Sequence, residues 1–343
     1  MIRVREKLKE YLRLGRLFNA EILSLILILS YMLSAKLHGI DIDTTILIML
    51  FVSGIFAHVW GGYNNDRFDL IIDKKAKYCS HKPLVSGSIS IKNAKVIEFT
   101  ALFIFIMLAL SSSYISHSSL SPIVVSPRIP STIFFVFCAF FLAYVYNRFN
   151  KSNMFINIVG QMYASFVVLV GMSVVIDFDF IIFLSAVVMG LNGVYLNIIE
   201  ADLKDVKGDI INVPKTLGVR FVGKKAVNTL KFYILNEIIK TTIFVLILII
   251  LLLERANIYY SILACIIFAV NYFVRIFMFK NLSSNREEMK RYIAIQELTA
   301  ILLISTIYMI INPFLPIIVL VFVALWLSIW NKILWNTYTR PQV

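Results

Sequence analysis

The sequence has few of the side chains that bind zinc or form disulfides. It holds three cysteines, Cys79, Cys138 and Cys265, and they form no CxxC pair. The sequence therefore predicts neither a zinc site nor a disulfide framework. Charged residues are also scarce at 15% of the chain, whereas a soluble domain has about 25%. No low-complexity tract, second domain or small-residue cleavage site is visible, so we expect a single membrane domain over residues 1–343 without a signal peptide.

Apolar residues occur in long blocks. They make up 59% of the 343 residues, and the mean hydropathy is +0.83. Residues 243–253 read IFVLILIILLL without interruption. A helix needs roughly 20 apolar residues to cross the hydrocarbon core of a membrane. The sequence predicts an all-α, polytopic membrane helical bundle with ten spans at about 17–36, 44–63, 93–113, 131–147, 153–175, 180–199, 230–253, 257–278, 291–311 and 314–334.

Lys and Arg residues are distributed unevenly among the loops between these spans. With the N-terminus placed in the cytoplasm, 27 of the 33 lie on the inside, three lie within spans, and three (Lys36, Arg128 and Arg255) lie outside. Cytoplasmic loops are enriched in these residues because their charges are hard to translocate. The pattern predicts a cytoplasmic N-terminus. It also attributes the net charge of +13 to topology, so no nucleic-acid partner is expected.

Three further segments carry specific expectations. Residues 1–15 form a basic, amphipathic lead that we expect to lie on the inner leaflet in contact with membrane lipids, with a partner-binding helix as the alternative. The Ser- and Pro-rich residues 112–130 are predicted to form an exposed outside connector. Polar residues inside spans, such as Glu237, Asn271 and Gln296, are costly in lipid. They are expected either to face a cavity or to form hydrogen bonds between helices.

Acidic residues concentrate at the predicted cytoplasmic ends of the second and sixth spans. Six of the 20 Asp and Glu residues fall in two clusters, Asp66, Asp69 and Asp73, then Asp202, Asp205 and Asp209. If the second span continues as a helix, Asn65, Asp69 and Asp73 are spaced i, i+4 and i+8 and share one face. The second cluster has the spacing i, i+3 and i+7, which also places its members on one helical face.

The composition of these clusters indicates the ligand. Carboxylates held this close repel each other unless a cation neutralises them. Oxygen ligands without His or Cys suit Mg²⁺, with Mn²⁺ as the alternative, and Mg²⁺ is usually shared with substrate phosphates. Basic residues that can bind phosphate oxygens flank both clusters: Arg67, Lys74, Lys75, Lys77, Lys82, Arg148, Lys151, Lys204, Lys207 and Lys215. The sequence therefore predicts a phosphorylated ligand with an apolar tail sheltered between helices.

The clusters and the segments around them resemble the UbiA superfamily of intramembrane prenyltransferases. The NDxxDxxxD motif of that family is intact at residues 65–73, and the HKPLVSG stretch at 81–87 follows it with Lys82 where the family usually has Arg. The DxxDxxxD motif begins at Asp202, and KTLG at 215–218 is similar to the KTLPV segment. The tyrosine-and-basic signature is similar to residues 144–151. Residues 16–225 carry the resemblance. The family usually has nine spans, so nine to ten are expected, with about 314–334 as a possible extra helix.

The resemblance implies transfer of a polyprenyl group from an isoprenoid diphosphate to a lipophilic or aromatic acceptor, with diphosphate released. It implies that two Mg²⁺ ions are held by Asn65, Asp69 and Asp73 and by Asp205 and Asp209, with Asp66 and Asp202 in support. The residues that would grip the diphosphate are Arg67, Lys82, Arg148 and Lys151. Tyr144 or Tyr146 would stabilise the allylic cation through its ring face or pack at the membrane interface. Asn19 would take the place of an Asn in the first span.

Several alternatives stay open on the sequence. The acceptor fits three types: a quinone-precursor aromatic acid or naphthoate, an archaeal-type glycerol-phosphate lipid, or a tetrapyrrole. A CDP-alcohol phosphatidyltransferase also uses membrane aspartates and Mg²⁺, but its aspartates form one continuous motif, whereas these are about 130 residues apart. A transporter would carry charges near mid-membrane and repeated halves. The expected location is the cell membrane, with the active site facing the cytoplasm.

Overall fold

The computed structural model describes residues 2–75, 79–120, 128–149, 153–206, 213–222, 225–227, 230–281 and 286–338. Ten helical segments in these residues are long and apolar enough to cross a membrane, which confirms the predicted all-α membrane architecture and the count of ten. They are Leu17–Leu37, Thr44–Lys75, Ile91–Ser116, Ile129–Phe149, Met154–Ser173, Phe180–Leu203, Leu230–Leu253, Ile258–Lys280, Met289–Ile310 and Leu315–Trp335. The cytoplasmic position of the N-terminus stays a prediction.

The chain forms two compact units, and the first comprises Met1–Arg148, Leu169–Phe178 and Phe322–Arg340. It also contains the last part of α8 (Tyr163–Ser173) and the part of α14 (Leu315–Trp335) that starts at Phe322. Its other elements are α1 (Ile2–Leu14), a 3-10 helix (Leu17–Asn19), α2 (Glu21–Leu37), α3 (Thr44–Lys75), α4 (Pro83–Ser86), α5 (Ile91–Leu120) and α6 (Arg128–Phe149).

Small residues set the close helix packing in this unit. A Cβ added at Gly54 of α3 would overlap the Ser24 backbone of α2, and one at Gly171 would lie 2.6 Å from the Leu27 carbonyl oxygen. Glycines allow this approach because no side chain separates the two backbones. On α6, Phe134, Phe137 and Phe141 are spaced by three and four residues and are more than half exposed. Such a contiguous apolar stripe fits contact with lipid.

The second unit comprises Phe149–Val168, Asp179–Val321 and Pro341–Val343. Its helices are α7 (Met154–Gln161), α9 (Phe180–Gly193), α10 (Val213–Thr216), α11 (Leu230–Leu253), α12 (Ile258–Lys280) and α13 (Arg286–Ser305). A π-helix (Val194–Glu200) and a 3-10 helix (Ala201–Asp205) extend α9, and a second 3-10 helix (Thr306–Ile310) extends α13. Two strands, β1 (Arg220–Val222) and β2 (Lys225–Val227), pair antiparallel with Arg220 opposite Val227.

Buried polar side chains connect the helices of the second unit. Lys240 of α11 donates to Asn271 of α12, and Asn271 donates to the Thr299 hydroxyl of α13 at 2.7 Å. The Lys240 ammonium also lies 4.2 Å from the ring centroid of Tyr195. The Gln296 amide donates to the Tyr195 hydroxyl at 3.3 Å. Arg275 of α12 also donates to the Glu237 carboxylate of α11 at 2.8 Å. These contacts favour interhelical hydrogen bonding as the role of the intramembrane polar residues.

Two local expectations differ from the structure. Helix α5 continues to Leu120, so the predicted connector at 112–130 is wrong for residues 112–120, and residues 121–127 lie outside the described part of the chain. Ser112, Ser113 and Ser116 are buried, and the Ser112 hydroxyl donates to the Leu108 carbonyl oxygen at 2.8 Å, which makes these serines compatible with a helix. Asp202 and Asp205 lie in a 3-10 helix instead of an α-helix. Because that helix repeats every three residues, the two positions still lie on one side.

Candidate active site

The first aspartate cluster lies on a continuation of α3. This helix has 32 residues and a length of about 48 Å, which exceeds the roughly 30 Å of membrane hydrocarbon. Its last turns carry Asp66, Asp69 and Asp73, which are 6%, 7% and 5% exposed. The Asn65 amide donates to the Asp69 carboxylate at 3.2 Å, as expected for residues one turn apart on the same face. The predicted helical continuation through the first motif is confirmed.

Two cations from other segments meet these carboxylates. Arg16 Nη2 lies 2.6 Å from Asp66 Oδ1, and Arg16 belongs to the turn between α1 and the first 3-10 helix. Lys82 Nζ lies 2.7 Å from Asp73 Oδ2 and 3.5 Å from Asp66 Oδ1. Lys82 directly precedes α4, where Pro83 occupies the first helical turn and Gly87 ends the helix with φ 77. This short helix therefore fixes Lys82 beside the first motif.

Both cations keep their charge at neutral pH. The Asp66 carboxylate raises the pKa of Arg16, with burial acting in the opposite direction and Asp69 adding to the increase. Burial lowers the pKa of Lys82, but Asp66 and Asp73 outweigh it, and the net pKa lies above the ordinary lysine value. Because both pKa values are raised, the attraction of these cations to the carboxylates is present at neutral pH and is lost only as the pH rises through the lysine pKa.

The donor set of the first motif fits a hard divalent cation. The oxygen atoms that it could offer to a metal ion are the carboxylate oxygens of Asp69 and Asp73 and the amide oxygen of Asn65, from residues spaced along one face of α3. Within the described ranges, no group of three or more His, Cys, Asp or Glu side chains is arranged to hold a metal ion alone. Mg²⁺ typically takes one or two carboxylates and completes its coordination with water and substrate phosphates. The first motif therefore fits Mg²⁺ that is shared with a phosphorylated ligand.

Arg67 pairs with a carboxylate of another helix. Its Nε and Nη2 atoms bind the Glu98 carboxylate of α5 at 2.9 and 3.0 Å, and Asn64 donates to the same carboxylate at 2.6 Å. Asn147 of α6 in turn donates to the Asn64 side-chain oxygen at 3.0 Å. Arg67 is two residues from Asp69, and two residues rotate a helix by about 200°. The geometry favours a structural role for Arg67 over the predicted grip on diphosphate.

We expect Glu98→Gln to lower the free energy of unfolding by about 3 kcal/mol, because it leaves the Arg67 guanidinium without its carboxylate. Arg67→Met should destabilise the protein to a similar extent and leave the KM for the donor within about twofold. The measurement is thermal unfolding in detergent together with donor kinetics. Glu6→Ala, which breaks the exposed Lys9–Glu6 pair, is the control and should cost no more than about 1 kcal/mol. A stable Arg67→Met variant with a donor KM raised tenfold would support the diphosphate role.

The tyrosine-and-basic signature lies at the end of α6. Arg148 Nη1 donates to the Tyr144 hydroxyl at 2.8 Å, and the Tyr144 ring packs edge-on against Phe68 at 5.4 Å. Phe68 precedes Asp69 on α3, so this pair lies beside the first motif. Tyr146 is half-buried and interacts with Arg16. Lys151 lies outside the described residues.

The second motif belongs to the second unit and is described only in part. Asp202 is half-buried in the 3-10 helix that follows the π-helix. For Asp205 the backbone alone is described, and Asp209 lies outside the described residues. Lys215 is exposed on α10. The π-helix Val194–Glu200 directly precedes this 3-10 helix, and π-helical turns occur frequently at functional sites.

Two charged residues that contact the first motif or its neighbours are not predicted from the sequence: Arg16, which pairs with Asp66, and Glu98, which pairs with Arg67. Arg16 is the last basic residue before a hydrophobic span, which is a weak signal, since such residues also follow the topology rule. Asn19 ends the same 3-10 helix that begins directly after Arg16, and it is half-buried.

Comparison with known families identifies a domain over most of the chain. The model of the UbiA prenyltransferase family matches residues 24–295. A digeranylgeranylglyceryl phosphate synthase of Methanocaldococcus jannaschii is 37% identical over 106 residues, which cover 31% of this chain and 35% of that protein. The match therefore spans about a third of the length of this curated relative.

Three solved structures of similar fold are 13–21% identical to this chain, compared with 37% for the matched segment of the curated relative. A structure described as giving insight into digeranylgeranylglyceryl phosphate synthase has a TM-score of 0.62 at 21% identity, covering 90% of this chain and 99% of that chain. A UbiA homologue from Archaeoglobus fulgidus bound to GPP and Mg²⁺ has a TM-score of 0.59 at 17% identity, covering 88% and 99%. One from Aeropyrum pernix has a TM-score of 0.57 at 13% identity, covering 86% and 97%. These structures show a shared fold.

Proposed function

The chain belongs to the UbiA prenyltransferase family, and we propose that it transfers a geranylgeranyl group from its diphosphate to a glycerol-phosphate lipid. The family match sets aside the phosphatidyltransferase and transporter alternatives. The observation that carries the donor half of the proposal is the buried carboxylate face of α3, on which Asp69 and Asp73 lie beside Asn65 and next to Lys82. Such a face requires a cation and, next to it, an anion that shares the cation.

The two aspartate motifs would act on one donor diphosphate. Asn65, Asp69 and Asp73 would hold one Mg²⁺, and Asp205 and Asp209 the other. Asp66 and Asp202 would support them. Two motifs with the same oxygen-only chemistry and the same predicted membrane side support this assignment, as does the Archaeoglobus fulgidus homologue, whose structure holds GPP and Mg²⁺. When bound, Mg²⁺ neutralises the diphosphate and makes it a better leaving group.

The basic residues would bind and orient the diphosphate. Lys82 and Arg148 would donate charge-assisted hydrogen bonds to phosphate oxygens, and Lys151 is proposed for the same role by its place in the signature. Arg16 contributes a further cation beside Asp66. These fixed charges stabilise the negative charge that develops on the diphosphate as it leaves. The apolar prenyl chain would lie among the helices, where water is excluded.

The reaction exchanges one carbon–oxygen bond for another. The bond between C1 of the prenyl group and the diphosphate oxygen breaks, and both electrons leave with the diphosphate. The allylic cation would be captured by the acceptor hydroxyl oxygen, and the proton of that hydroxyl would pass to the released diphosphate. Tyr144, whose ring packs against Phe68 beside the motif, or Tyr146 would stabilise the cation through its ring face. Asn19 would contact the substrate from the turn after Arg16.

The acceptor assignment comes from the curated relative. A 37% identical segment of 106 residues in a digeranylgeranylglyceryl phosphate synthase supports a glycerol-phosphate lipid over an aromatic acid, a naphthoate or a tetrapyrrole. The structural similarity to such a synthase points in the same direction. The uneven distribution of Lys and Arg supports a cytoplasmic N-terminus in the cell membrane, with both motifs facing the cytoplasm.

The test is a transfer assay with purified protein in detergent. Radiolabelled geranylgeranyl diphosphate and Mg²⁺ would be supplied with geranylgeranylglyceryl phosphate, 4-hydroxybenzoate, a dihydroxynaphthoate or a chlorophyllide. We expect label to appear in a lipid phosphate product and in no other acceptor. Transfer to an aromatic acceptor alone would overturn the acceptor assignment but keep the donor chemistry. No transfer to any acceptor, with no binding of the donor, would overturn both.

A further inference from the structure

The turn that carries Arg16 has an unusual backbone. Arg16 adopts the left-handed conformation, with φ 48 and ψ 39, between the end of α1 and the 3-10 helix that begins at Leu17. This conformation costs a non-glycine residue roughly 1–2 kcal/mol, so neighbouring contacts must hold it. It brings the Arg16 guanidinium to 2.6 Å from Asp66 of the first motif. The contacts that hold this turn therefore help to hold Arg16 against the motif.

Helix α14 supplies contacts on both sides of Arg16. The Trp326 indole donates to the Leu17 carbonyl oxygen at 2.9 Å. The Trp335 ring packs edge-on against Phe18 with centroids 5.2 Å apart. On the other side, Arg13 donates to the carbonyl oxygen of Leu334, and its guanidinium lies 5.8 Å from the Trp335 ring centroid.

Helix α3 closes on the same turn from another direction. A Cβ added at Gly62 would lie 2.9 Å from the Leu14 carbonyl oxygen and 3.3 Å from Arg16 Cγ. Gly62 therefore admits the turn at a distance that no other residue would allow. The Tyr63 hydroxyl next to it donates to the Tyr11 carbonyl oxygen at 3.0 Å. The turn is fixed between α3, which carries the first motif, and the end of α14.

The family match ends at residue 295, whereas α14 spans Leu315–Trp335. The helix that contacts the Arg16 turn is thus outside the matched domain. We propose that Trp326 and Trp335 of α14 are positioning residues for the donor site: they fix the Arg16 turn and, through Arg16, hold Asp66 in its binding geometry. This inference rests on the proposed function of the first motif. It gives the tenth helix a specific role in donor binding.

The competing explanation is that Trp326 is an aromatic membrane anchor. Trp330 provides a matched control, because it lies one turn further along α14 and packs against Trp326 at 5.9 Å without a described hydrogen bond to the turn. Trp326→Phe keeps an aromatic ring that can pack against Phe51 and Phe322, as the Trp326 ring does, and removes the indole donor. A membrane anchor would respond similarly at both tryptophans, whereas a positioning residue would respond only at 326.

The experiment compares Trp326→Phe, Trp330→Phe, Arg16→Ala and the double variant Arg16→Ala/Trp326→Phe in detergent. We expect Trp326→Phe to raise the donor KM about fivefold with kcat within twofold, and Trp330→Phe to leave both within twofold. Arg16→Ala should raise the donor KM about 10- to 100-fold. In the double variant, loss of Trp326 should add nothing, because its effect passes through Arg16. Additive effects, or equal effects at the two tryptophans, would overturn the proposal.

A second measurement does not depend on turnover. Hydrogen exchange of residues 16–20 should be about fivefold faster in Trp326→Phe than in the wild type and unchanged in Trp330→Phe. The Asn19 amide, which donates to the Arg16 carbonyl oxygen at 2.9 Å, reports directly on the turn. If the wild type shows no transfer, the proposed function fails, but hydrogen exchange still tests whether Trp326 fixes the Arg16 turn. Unchanged exchange in Trp326→Phe would refute the positioning role.

Discussion

Asp69→Ala and Asp205→Ala are each expected to reduce prenyl transfer by more than about 100-fold while the protein stays folded. Loss of a group that only orients a metal ligand costs about 10- to 100-fold, so loss of a ligand itself should cost more. Asp69 is 7% exposed on the motif face of α3, and alanine preserves the helix. Activity is measured with labelled donor, and folding by size-exclusion chromatography and thermal unfolding.

Two control variants distinguish loss of the carboxylate charge from loss of the folded structure. Asp69→Asn keeps the side-chain volume and removes the negative charge, so it should lose activity even if the alanine variant is unstable. Asp41→Ala changes an exposed aspartate outside both motifs and should be fully active. Asp66 is less suitable for this test because its loss also releases Arg16 and Lys82. Near-full activity in either Asp69→Ala or Asp205→Ala would show that the metal assignment is wrong.

Removal of divalent cations is expected to abolish transfer completely and reversibly. The predicted ligands are all oxygen atoms, a set that suits Mg²⁺ and Mn²⁺ and not zinc. Without the cation, the donor diphosphate would meet the carboxylates of Asp69 and Asp73 directly, and like charges would repel it. Activity is measured after dialysis against EDTA and again after addition of excess Mg²⁺. Mg²⁺ should restore full activity, and Mn²⁺ should restore part of it.

The chelation experiment has a defined control. Dialysis against EDTA that is already saturated with Mg²⁺ should leave the activity unchanged, which excludes an effect of the chelator itself. Transfer that persists in metal-free buffer, with the metal content confirmed by elemental analysis, would contradict the role assigned to the two aspartate motifs.

The membrane spans and the first motif were predictable from local sequence. Apolar runs such as residues 243–253 need no knowledge of packing, because the membrane thickness alone sets the helix length. The i, i+4, i+8 spacing of Asn65, Asp69 and Asp73 likewise depends only on the helical period. The same period places Arg67 about 200° around the helix from Asp69, so the sequence predicts that Arg67 faces away from the motif. It does not predict which residue Arg67 meets there, which is Glu98 of α5.

Contacts between distant segments were not predictable. Arg16 and Asp66 are 50 residues apart, and Trp326 is 309 residues from Leu17, so no spacing rule joins them. The left-handed backbone of Arg16 also has no sequence signal, since glycine is the residue that usually marks it. The extension of α5 to Leu120 was missed because its serines favour loops in isolation and become compatible with a helix only when buried and hydrogen-bonded.

Binding of labelled geranylgeranyl diphosphate to the purified protein tests whether the two aspartate motifs hold the donor through Mg²⁺, because this measurement needs no acceptor. It would be measured with and without Mg²⁺ for the wild type, Asp69→Asn and Asp205→Asn, with Asp41→Ala as the control. We expect tight binding that requires Mg²⁺ in the wild type and the control, and binding at least about tenfold weaker in each motif variant. Binding that is independent of Mg²⁺, or equal in the wild type and both motif variants, would contradict it.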